Sequence, residues 1–147
     1  MTDLRELYQE LILEQNALPR NFGPLANPTH TAEGYNPLCG DQLRLFLRID
    51  KGVIAEIGFE GSGCAISKAS TSLMTTTLKN KAIQEAEALF GAFHQMLTDS
   101  NPNVPEVLGK LRAFSGVREF PVRVKCATLP WHTLRAALMG HGKTSTE

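Results

Sequence analysis

Apolar residues recur three and four positions apart near the start of the chain. They are Leu4, Leu7, Tyr8, Leu11 and Ile12. Because this spacing puts them on one face of an α-helix, the pattern predicts an amphipathic helix from about Leu4 to about Gln15, and Asp3 with Glu6 has the form of a capping box at its start. Prolines and a glycine within residues 18–25 end the pattern. The Asn-, Thr-, Gly- and Pro-rich stretch that continues to Pro37 predicts a long irregular connection.

A strict alternation of residue types marks the next segment. Its apolar members are Leu43, Leu45, Leu47 and Ile49. The sequence Asp50-Lys51-Gly52 is typical of a turn, and a second apolar-rich run covers residues 53–59. We therefore predict an antiparallel β-hairpin. Its pairing would bring Cys39, which precedes the first strand, and Cys64, which follows the second, to the same end of the hairpin.

Further helices are predicted from apolar stripes in the second half of the chain. One begins after Cys64 and is rich in small hydroxyl residues, which are mediocre helix formers, so tertiary packing must stabilise it. Another covers about residues 83–97. A third begins near Pro105, where Asn103 and Glu106 suit a capping box. The buried face predicted for this third helix consists of Val104, Val107, Leu108 and Leu111.

The segment around the third cysteine is predicted to change from strand to helix. Residues 120–124 read as an extended stretch, because Pro121 is tolerated at a strand edge or a strand start. A last helix is predicted to begin near Pro130, to carry Trp131, Leu134 and Leu138 inward, and to stop at Gly140. The polar residues 141–147 are predicted to be frayed. This predicts one domain over residues 1–140 and a polar tail over 141–147.

Composition and charge narrow the class of protein. Fifteen basic residues balance fifteen acidic ones, so the chain lacks the positive excess that attracts nucleic acid or anionic membranes, and we expect neither as a partner. The first residues lack the pattern of a signal peptide, and no apolar run is long enough to span a bilayer. Three cysteines without a Cys-x-x-Cys pair suit a reducing compartment. We therefore expect a cytoplasmic protein.

Cys39, Asp41, Cys64 and Cys126 are the candidate site residues. Three thiolates and one carboxylate would make a tetrahedral set for zinc. These ligands carry about two more negative charges than a divalent ion offsets. The positive ends of helices beginning after Cys64 and after Cys126 are expected to compensate. Arg123 and Lys125 lie close in sequence, but both would face away from the site if strand alternation continued to Cys126.

Other interpretations of the cysteines remain open at this point. Free cysteines are often buried, so all three could be ordinary core residues. Alternatively, Cys39 could be the nucleophile of a thiol enzyme, paired with His30, His94 or His132. Nothing in the sequence places a histidine beside Cys39, and His94 lies on or near the apolar stripe of its helix, which favours a structural role.

Several motifs together resemble the IscU/NifU-like family of iron–sulfur cluster assembly proteins, and specifically its SufU-type branch. They are Leu7-Tyr8, Pro19-Arg20-Asn21, Asn36-Pro37 with Cys39-Gly40-Asp41, Phe59-Glu60-Gly61 with Gly63-Cys64-Ala65-Ile66-Ser67, Ala69-Ser70, and Lys125-Cys126-Ala127-Thr128-Leu129. The resemblance implies an α+β fold in which a small antiparallel β-sheet packs against several helices. It also implies that Cys39, Asp41, Cys64 and Cys126 are the metal ligands.

Two differences from the IscU type indicate the SufU-type branch. IscU-type proteins carry a histidine before the third cysteine and a Leu-Pro-Pro-Val-Lys chaperone-recognition stretch, where this chain has Lys125 and Phe120-Pro121-Val122-Arg123-Val124. The spacer between Cys64 and Cys126 is also longer than in the IscU type, which is a feature of the SufU-type branch. The branch implies a zinc-bound sulfur acceptor that receives persulfide sulfur on Cys39 from a SufS-type cysteine desulfurase and passes it toward downstream iron–sulfur assembly proteins. The alternatives are a scaffold for a 2Fe-2S cluster on the same ligands and a binding module whose zinc is purely structural.

Overall fold

The computed structural model describes residues 4–99 and 104–145, which form four α-helices, four β-strands and one 3₁₀ segment. The helices are α1 (Leu4–Ala17), α2 (Ala65–Leu78), α3 (Ile83–Thr98) and α4 (Pro121–Leu138). The strands are β1 (His30–Asn36), β2 (Asp41–Asp50), β3 (Val53–Ser62) and β4 (Lys143–Ser145), and the 3₁₀ segment spans Glu106–Glu119. The α+β fold is confirmed, as are α1, α2, α3 and the β2–β3 hairpin. The capping boxes predicted at Asp3 and Asn103 lie outside the described residues.

The sheet has the order β3-β2-β1-β4. The first three strands are antiparallel, but β4 is parallel to β1, so the sheet is mixed. Asn36 pairs with Asp41, and Gln42 pairs with Ser62. This register places the end of β1, the start of β2 and the end of β3 side by side. The two loops that leave this end of the sheet carry Cys39 and Cys64.

Residues 30–36 form strand β1, so the prediction of an irregular connection as far as Pro37 is wrong for this segment. Its inward residues are Ala32, Gly34 and Asn36, all buried, while Thr31 and Tyr35 are exposed. The strand therefore alternates in burial without alternating in hydrophobicity, which is why an apolar pattern did not indicate it. The small inward residues let α4 pack closely on the strand, since a Cβ on Gly34 would lie only 2.0 Å from Thr133 Oγ1.

Helix α4 corrects the prediction that residues 120–124 are extended and that the last helix begins near Pro130. Only Phe120 is extended, as is typical of a residue before proline, and Pro121 occupies the first helical turn. Pro130 lies inside the helix, and Trp131 and Leu134 are buried as predicted. Cys126 therefore lies in the second turn of α4. We expected a helix that begins after Cys126 and points its positive end at the site, and that expectation is wrong.

The 3₁₀ segment replaces the α-helix predicted near Pro105. Its buried large side chains are Leu108, Leu111, Phe114 and Val117. Leu111, Phe114 and Val117 recur every three residues, which is the period of a 3₁₀-helix, so they share one face. Leu108 precedes a kink at Gly109, whose φ of 54° is not helical. Val107, also before the kink, is 69% exposed, and Val104 is 40% exposed, which contradicts the prediction that both are buried.

Hydroxyl residues attach α2 to its neighbours, as expected for a helix that depends on tertiary packing. Ser72 is buried and donates to Gln15 Oε1 of α1 at 2.5 Å, while its own oxygen accepts from the Arg20 backbone N–H at 2.7 Å. Thr75 Oγ1 accepts from Asn21 Nδ2 at 3.0 Å. The motif Pro19-Arg20-Asn21 therefore secures the connection after α1 to the middle of α2.

Residues 143–145 of the polar C-terminal stretch form strand β4, which corrects the prediction of a frayed tail for these residues, while residues 146 and 147 lie outside the described residues. A Schellman motif ends α4: the Gly140 N–H donates to Ala137 O at 3.1 Å, and the His141 N–H donates to Ala136 O at 2.7 Å. Gly140 has a φ of 77°, which suits glycine at this position. The reversal brings Lys143–Ser145 alongside β1. Within residues 4–99 and 104–145, no helix combines the length and apolar character of a membrane span.

The close packing of α4 on β1 predicts an asymmetric response to two alanine substitutions. Gly34→Ala should lower the free energy of unfolding by about 1–3 kcal/mol, because its Cβ would overlap Thr133 and approach Leu129. Gly91→Ala, at an exposed position of α3 where a Cβ meets nothing within 4 Å, should raise it by about 0.5–1 kcal/mol. Urea denaturation measures both, and equal effects would contradict this packing.

Candidate metal centre

Three of the four sequence-predicted ligands form a tight group beside the end of the sheet. Cys39 lies in the turn after β1, Asp41 begins β2 and Cys126 projects from α4. One ligand atom from each lies within 4.8 Å of the other two, and the Cys39 and Cys126 Sγ atoms are 3.2 Å apart. The arrangement brings together residues that are up to 87 positions apart in the chain.

Cys64 adjoins this group but is not among the three residues whose ligand atoms are mutually within 4.8 Å. It is the N-cap of α2, and its Sγ accepts a hydrogen bond from the Ser67 N–H at 3.4 Å. Its own backbone N–H donates to Asp41 Oδ1 at 2.8 Å. Its thiol also interacts with that of Cys126, and the two shift each other's pKa in opposite directions. Cys64 is therefore connected to both buried members of the group.

The four side chains differ in their access to solvent. Asp41 and Cys126 are buried, with 0% and 1% of their surface exposed, whereas Cys64 is half-buried and Cys39 is exposed. A buried carboxylate needs hydrogen-bond donors to offset the loss of water. For Asp41 they are the Cys64 N–H at Oδ1 and the side-chain amide of Asn36, which donates to Oδ2 at 3.1 Å.

Two residues without an assigned role in the sequence prediction shape this group. Asn36 Nδ2 donates to Cys126 Sγ at 3.4 Å as well as to Asp41. Gly63 passes so close to Asp41 that a Cβ on it would lie 2.3 Å from Oδ1. Both belong to quoted motifs, but their contacts depend on the register of β1 and on the path of the loop before α2, which the apolar pattern did not reveal.

The thiols of Cys64 and Cys126 have different proton affinities. Interaction with the neighbouring Cys126 thiol lowers the pKa of Cys64 to about 7, against the opposing effect of burial. The same interaction and burial raise the pKa of Cys126. Of these two thiols, Cys64 therefore loses its proton more readily, and Cys126 keeps its proton.

Positive charge lies at two places around the group. The start of α2 lies at Cys64, as predicted, and contributes the positive end of its helix dipole. Arg123 and Cys126 both line a cleft of about 770 Å³. The expectation that Arg123 faces away from Cys126 depended on a strand, and it is wrong because residues 121–126 are helical. The other residues lining the cleft are largely apolar and include Ile12, Leu13, Ile66, Phe120 and Val122. The cleft leads from solvent to all three cysteine sulfurs.

The histidines do not complete a Cys-His pair. His30 begins β1, six residues before Asn36 and hence about 20 Å along the strand from the cysteines. His94 and His132 contact each other, with ring centroids 6.0 Å apart, and both pack edge-on against Phe90. Burial lowers the pKa of His132. Among the described residues, the hydrogen bond of Cys39 Sγ is with Cys126 Sγ rather than with an imidazole.

The donor set fits a zinc ion. In a tetrahedral site with Zn–S bonds of about 2.3 Å, neighbouring sulfurs are about 3.8 Å apart. The Cys39 and Cys126 sulfurs are somewhat closer than this, at 3.2 Å, and the ligand atoms of Cys39, Asp41 and Cys126 all lie within 4.8 Å of one another, so one ion can contact all three. Thiolates with one carboxylate are ligands that zinc accepts, and the hydrogen bonds on Asp41 are of the kind that orient metal-binding carboxylates.

Comparisons with known proteins agree with this architecture. The family model described as the NifU-like N-terminal domain matches residues 7–140. The zinc-dependent sulfurtransferase SufU of Bacillus subtilis (strain 168) is 39% identical over 132 residues, which cover 90% of this chain and 89% of that protein. The iron–sulfur cluster assembly scaffold protein IscU of Streptococcus pyogenes serotype M1 is 34% identical over 138 residues, covering 94% and 86% of the two chains.

A solved structure also has the same fold. It is described as an iron–sulfur cluster assembly scaffold protein for the SUF system of Fervidobacterium islandicum AW-1. Its TM-score is 0.84 at 36% sequence identity, and the match covers 92% of this chain and 99% of that one.

The contact between Gly63 and Asp41 predicts that this glycine is needed for metal binding. Gly63→Ala should weaken zinc binding about tenfold or more, because the added Cβ would displace the carboxylate from the group. Gly116→Ala, where a Cβ meets nothing within 4 Å, is the matched control and should bind zinc normally. Competition with a chromophoric chelator measures both affinities. Normal zinc affinity in Gly63→Ala would contradict the placement of Asp41.

Proposed function

The chain belongs to the NifU-like N-terminal domain family, and on that premise we propose that it is a zinc-bound sulfur acceptor in iron–sulfur cluster assembly. One observation carries the proposal. An exposed thiol, Cys39, lies 3.2 Å from the sulfur of the buried Cys126 at the mouth of an apolar cleft. The similarity to a zinc-dependent sulfurtransferase supports the same function.

Cys39, Asp41, Cys64 and Cys126 are proposed as the zinc ligands. Bound zinc would keep the ligating thiols deprotonated and would join the sheet end, α2 and α4 through one closed tetrahedral site. Within the chain, Asp41 is oriented by donors on both of its oxygens, and Cys126 is fixed on a helix. These buried groups keep their places while Cys39 reacts.

Cys39 is proposed as the residue that accepts sulfur. It lies in a turn between Pro37 and Gly40, and Gly40 has a φ of 70°, so neither a helix nor a strand fixes the cysteine. Its thiolate would attack the outer sulfur of a persulfide on a donor protein. A new S–S bond forms at Cys39, the S–S bond of the donor breaks, and the donor cysteine leaves as a thiolate. The product is a persulfide on Cys39.

The proposed donor is a cysteine desulfurase of the SufS type, and the recipients are downstream iron–sulfur assembly proteins. The apolar lining of the cleft supports a protein donor, because docking would exclude water from the reacting sulfurs. A cytoplasmic location is proposed as well, since the three free thiols suit a reducing compartment.

Assembly of a 2Fe-2S cluster on the same residues is the second candidate function. It is supported by the similarity to proteins named as iron–sulfur cluster assembly scaffolds and by thiolate ligands that suit iron–sulfur clusters as well as zinc. Here the cluster would be cargo rather than a resident group. Protein isolated without oxygen should contain zinc if sulfur acceptance is the function, and iron with inorganic sulfide if scaffolding is.

The role of Cys39 predicts a separation of metal binding from sulfur transfer. Cys39→Ser should retain much of its zinc, because the other three ligands remain, but should neither accept persulfide nor stimulate desulfurase turnover. Mass spectrometry after incubation with desulfurase and cysteine should locate the added sulfur on Cys39 in the wild type. Sulfur on Cys64 or Cys126, together with an active Cys39→Ser variant, would show that another thiol is the acceptor.

A further inference from the structure

Asn36 occupies a special position relative to the metal centre. It is the last residue of β1, pairs directly with Asp41, and has 0% of its surface exposed. Its Nδ2 atom donates to Asp41 Oδ2 at 3.1 Å and to Cys126 Sγ at 3.4 Å. A side-chain amide has two N–H groups, so it can donate to both acceptors at once. One buried amide thus connects a carboxylate on the sheet to a thiol on α4.

The four candidate ligands are held unequally as a result. Asp41 accepts from Asn36 at one oxygen and from the Cys64 N–H at the other. Cys126 accepts from Asn36 and is fixed in the second turn of α4. Cys64 accepts from the Ser67 N–H at the start of α2. Cys39 is exposed and, among the described residues, its sulfur is hydrogen-bonded to Cys126, itself a candidate ligand.

We propose that Asn36 is the positioning residue of the centre: it holds Asp41 and Cys126 in the ligand set and thereby leaves Cys39 as the ligand that is released to accept sulfur. The inference rests on the proposed function and adds a reason why one thiol among three reacts. Asn36 lies outside the proposed set of zinc ligands and is not the proposed sulfur acceptor.

Two physical effects of the Asn36 amide favour retention of Cys126 and release of Cys39. A hydrogen bond to a ligating carboxylate or thiolate restricts its orientation, and loss of such an outer contact typically weakens metal binding by about tenfold to one hundredfold. An N–H group that donates to a thiolate also withdraws electron density from the sulfur, and so lowers its nucleophilicity. The Cys126 sulfur, which accepts from Asn36, experiences both effects, whereas the exposed Cys39 sulfur is hydrogen-bonded to the thiol of Cys126.

Variants of Asn36 with two, one or no donor hydrogens test the proposal. Asn36→Leu has nearly the same shape without a donor, and Asn36→Ser has a single hydroxyl hydrogen, which serves only one acceptor at a time. Ser70→Ala is the matched control. Ser70 is buried beside the centre and donates to Ala127 O of α4 at 2.6 Å, so its loss removes a buried hydrogen bond to the same helix without touching Asp41 or Cys126.

Two measurements on the zinc-loaded proteins are informative without a desulfurase. One is the zinc dissociation constant from competition with a chromophoric chelator. The other is the order in which iodoacetamide alkylates the three cysteines, mapped by mass spectrometry of peptides. We expect wild type and Ser70→Ala to bind zinc within about twofold of each other and to be alkylated first at Cys39. Asn36→Leu should bind zinc about tenfold to one hundredfold more weakly and should lose the preference for Cys39, with Asn36→Ser intermediate.

Wild-type zinc affinity and wild-type alkylation order in Asn36→Leu would overturn the proposal. If Asn36→Leu does not fold, Asn36→Ser decides in the same way: weaker zinc binding with increased labelling of Cys126 supports the role, and wild-type behaviour overturns it. An equal loss of zinc affinity in Ser70→Ala would also overturn it, because any buried hydrogen bond to α4 would then have the same effect. None of these outcomes depends on whether the chain accepts sulfur from a desulfurase, which separates this proposal from the proposed function.

Discussion

Burial of the Asp41 carboxylate is the constraint on which the arrangement of the site depends. An ionised carboxylate without access to water is strongly unfavourable unless donors or cations replace its hydration. Here two donors provide the replacement: the amide of Asn36 at the end of β1 and the N–H of Cys64 at the start of α2. The chain before α2 passes so close to Asp41 that only a glycine fits at position 63. Each donor also belongs to or contacts a cysteine of the site, since Asn36 donates to Cys126 Sγ as well.

The fold brings α4 to this point by using small residues on β1. Gly34 leaves room for Thr133, and two positions later Asn36 reaches Cys126 from the same face of the strand. Close packing and metal-site geometry are therefore consequences of one interface. Cys39, in the turn beyond this strand, is outside the interface, which explains how the same group of residues combines rigid sulfurs with an accessible one.

The sequence predicted what depends on apolar periodicity and on motifs, and it did not predict what depends on register. The β2–β3 hairpin followed from alternation, and the candidate ligands followed from thiol chemistry and the family resemblance. Strand β1 escaped prediction because its inward side chains are small or polar, and Pro121 was compatible with both a strand start and a helix start. The role inferred for Asn36 requires its pairing with Asp41, which is a property of three-dimensional structure.

The central claim is that all three cysteines and Asp41 bind one metal ion. X-ray absorption spectroscopy at the zinc edge tests it most directly, because it counts the sulfur and oxygen atoms around the ion in the isolated protein. Our account predicts three sulfurs at about 2.3 Å and one oxygen at about 2.0 Å, with two sulfurs remaining in Cys126→Ala protein reloaded with zinc. A zinc shell dominated by nitrogen and oxygen, or an unchanged sulfur count in Cys126→Ala, would contradict it.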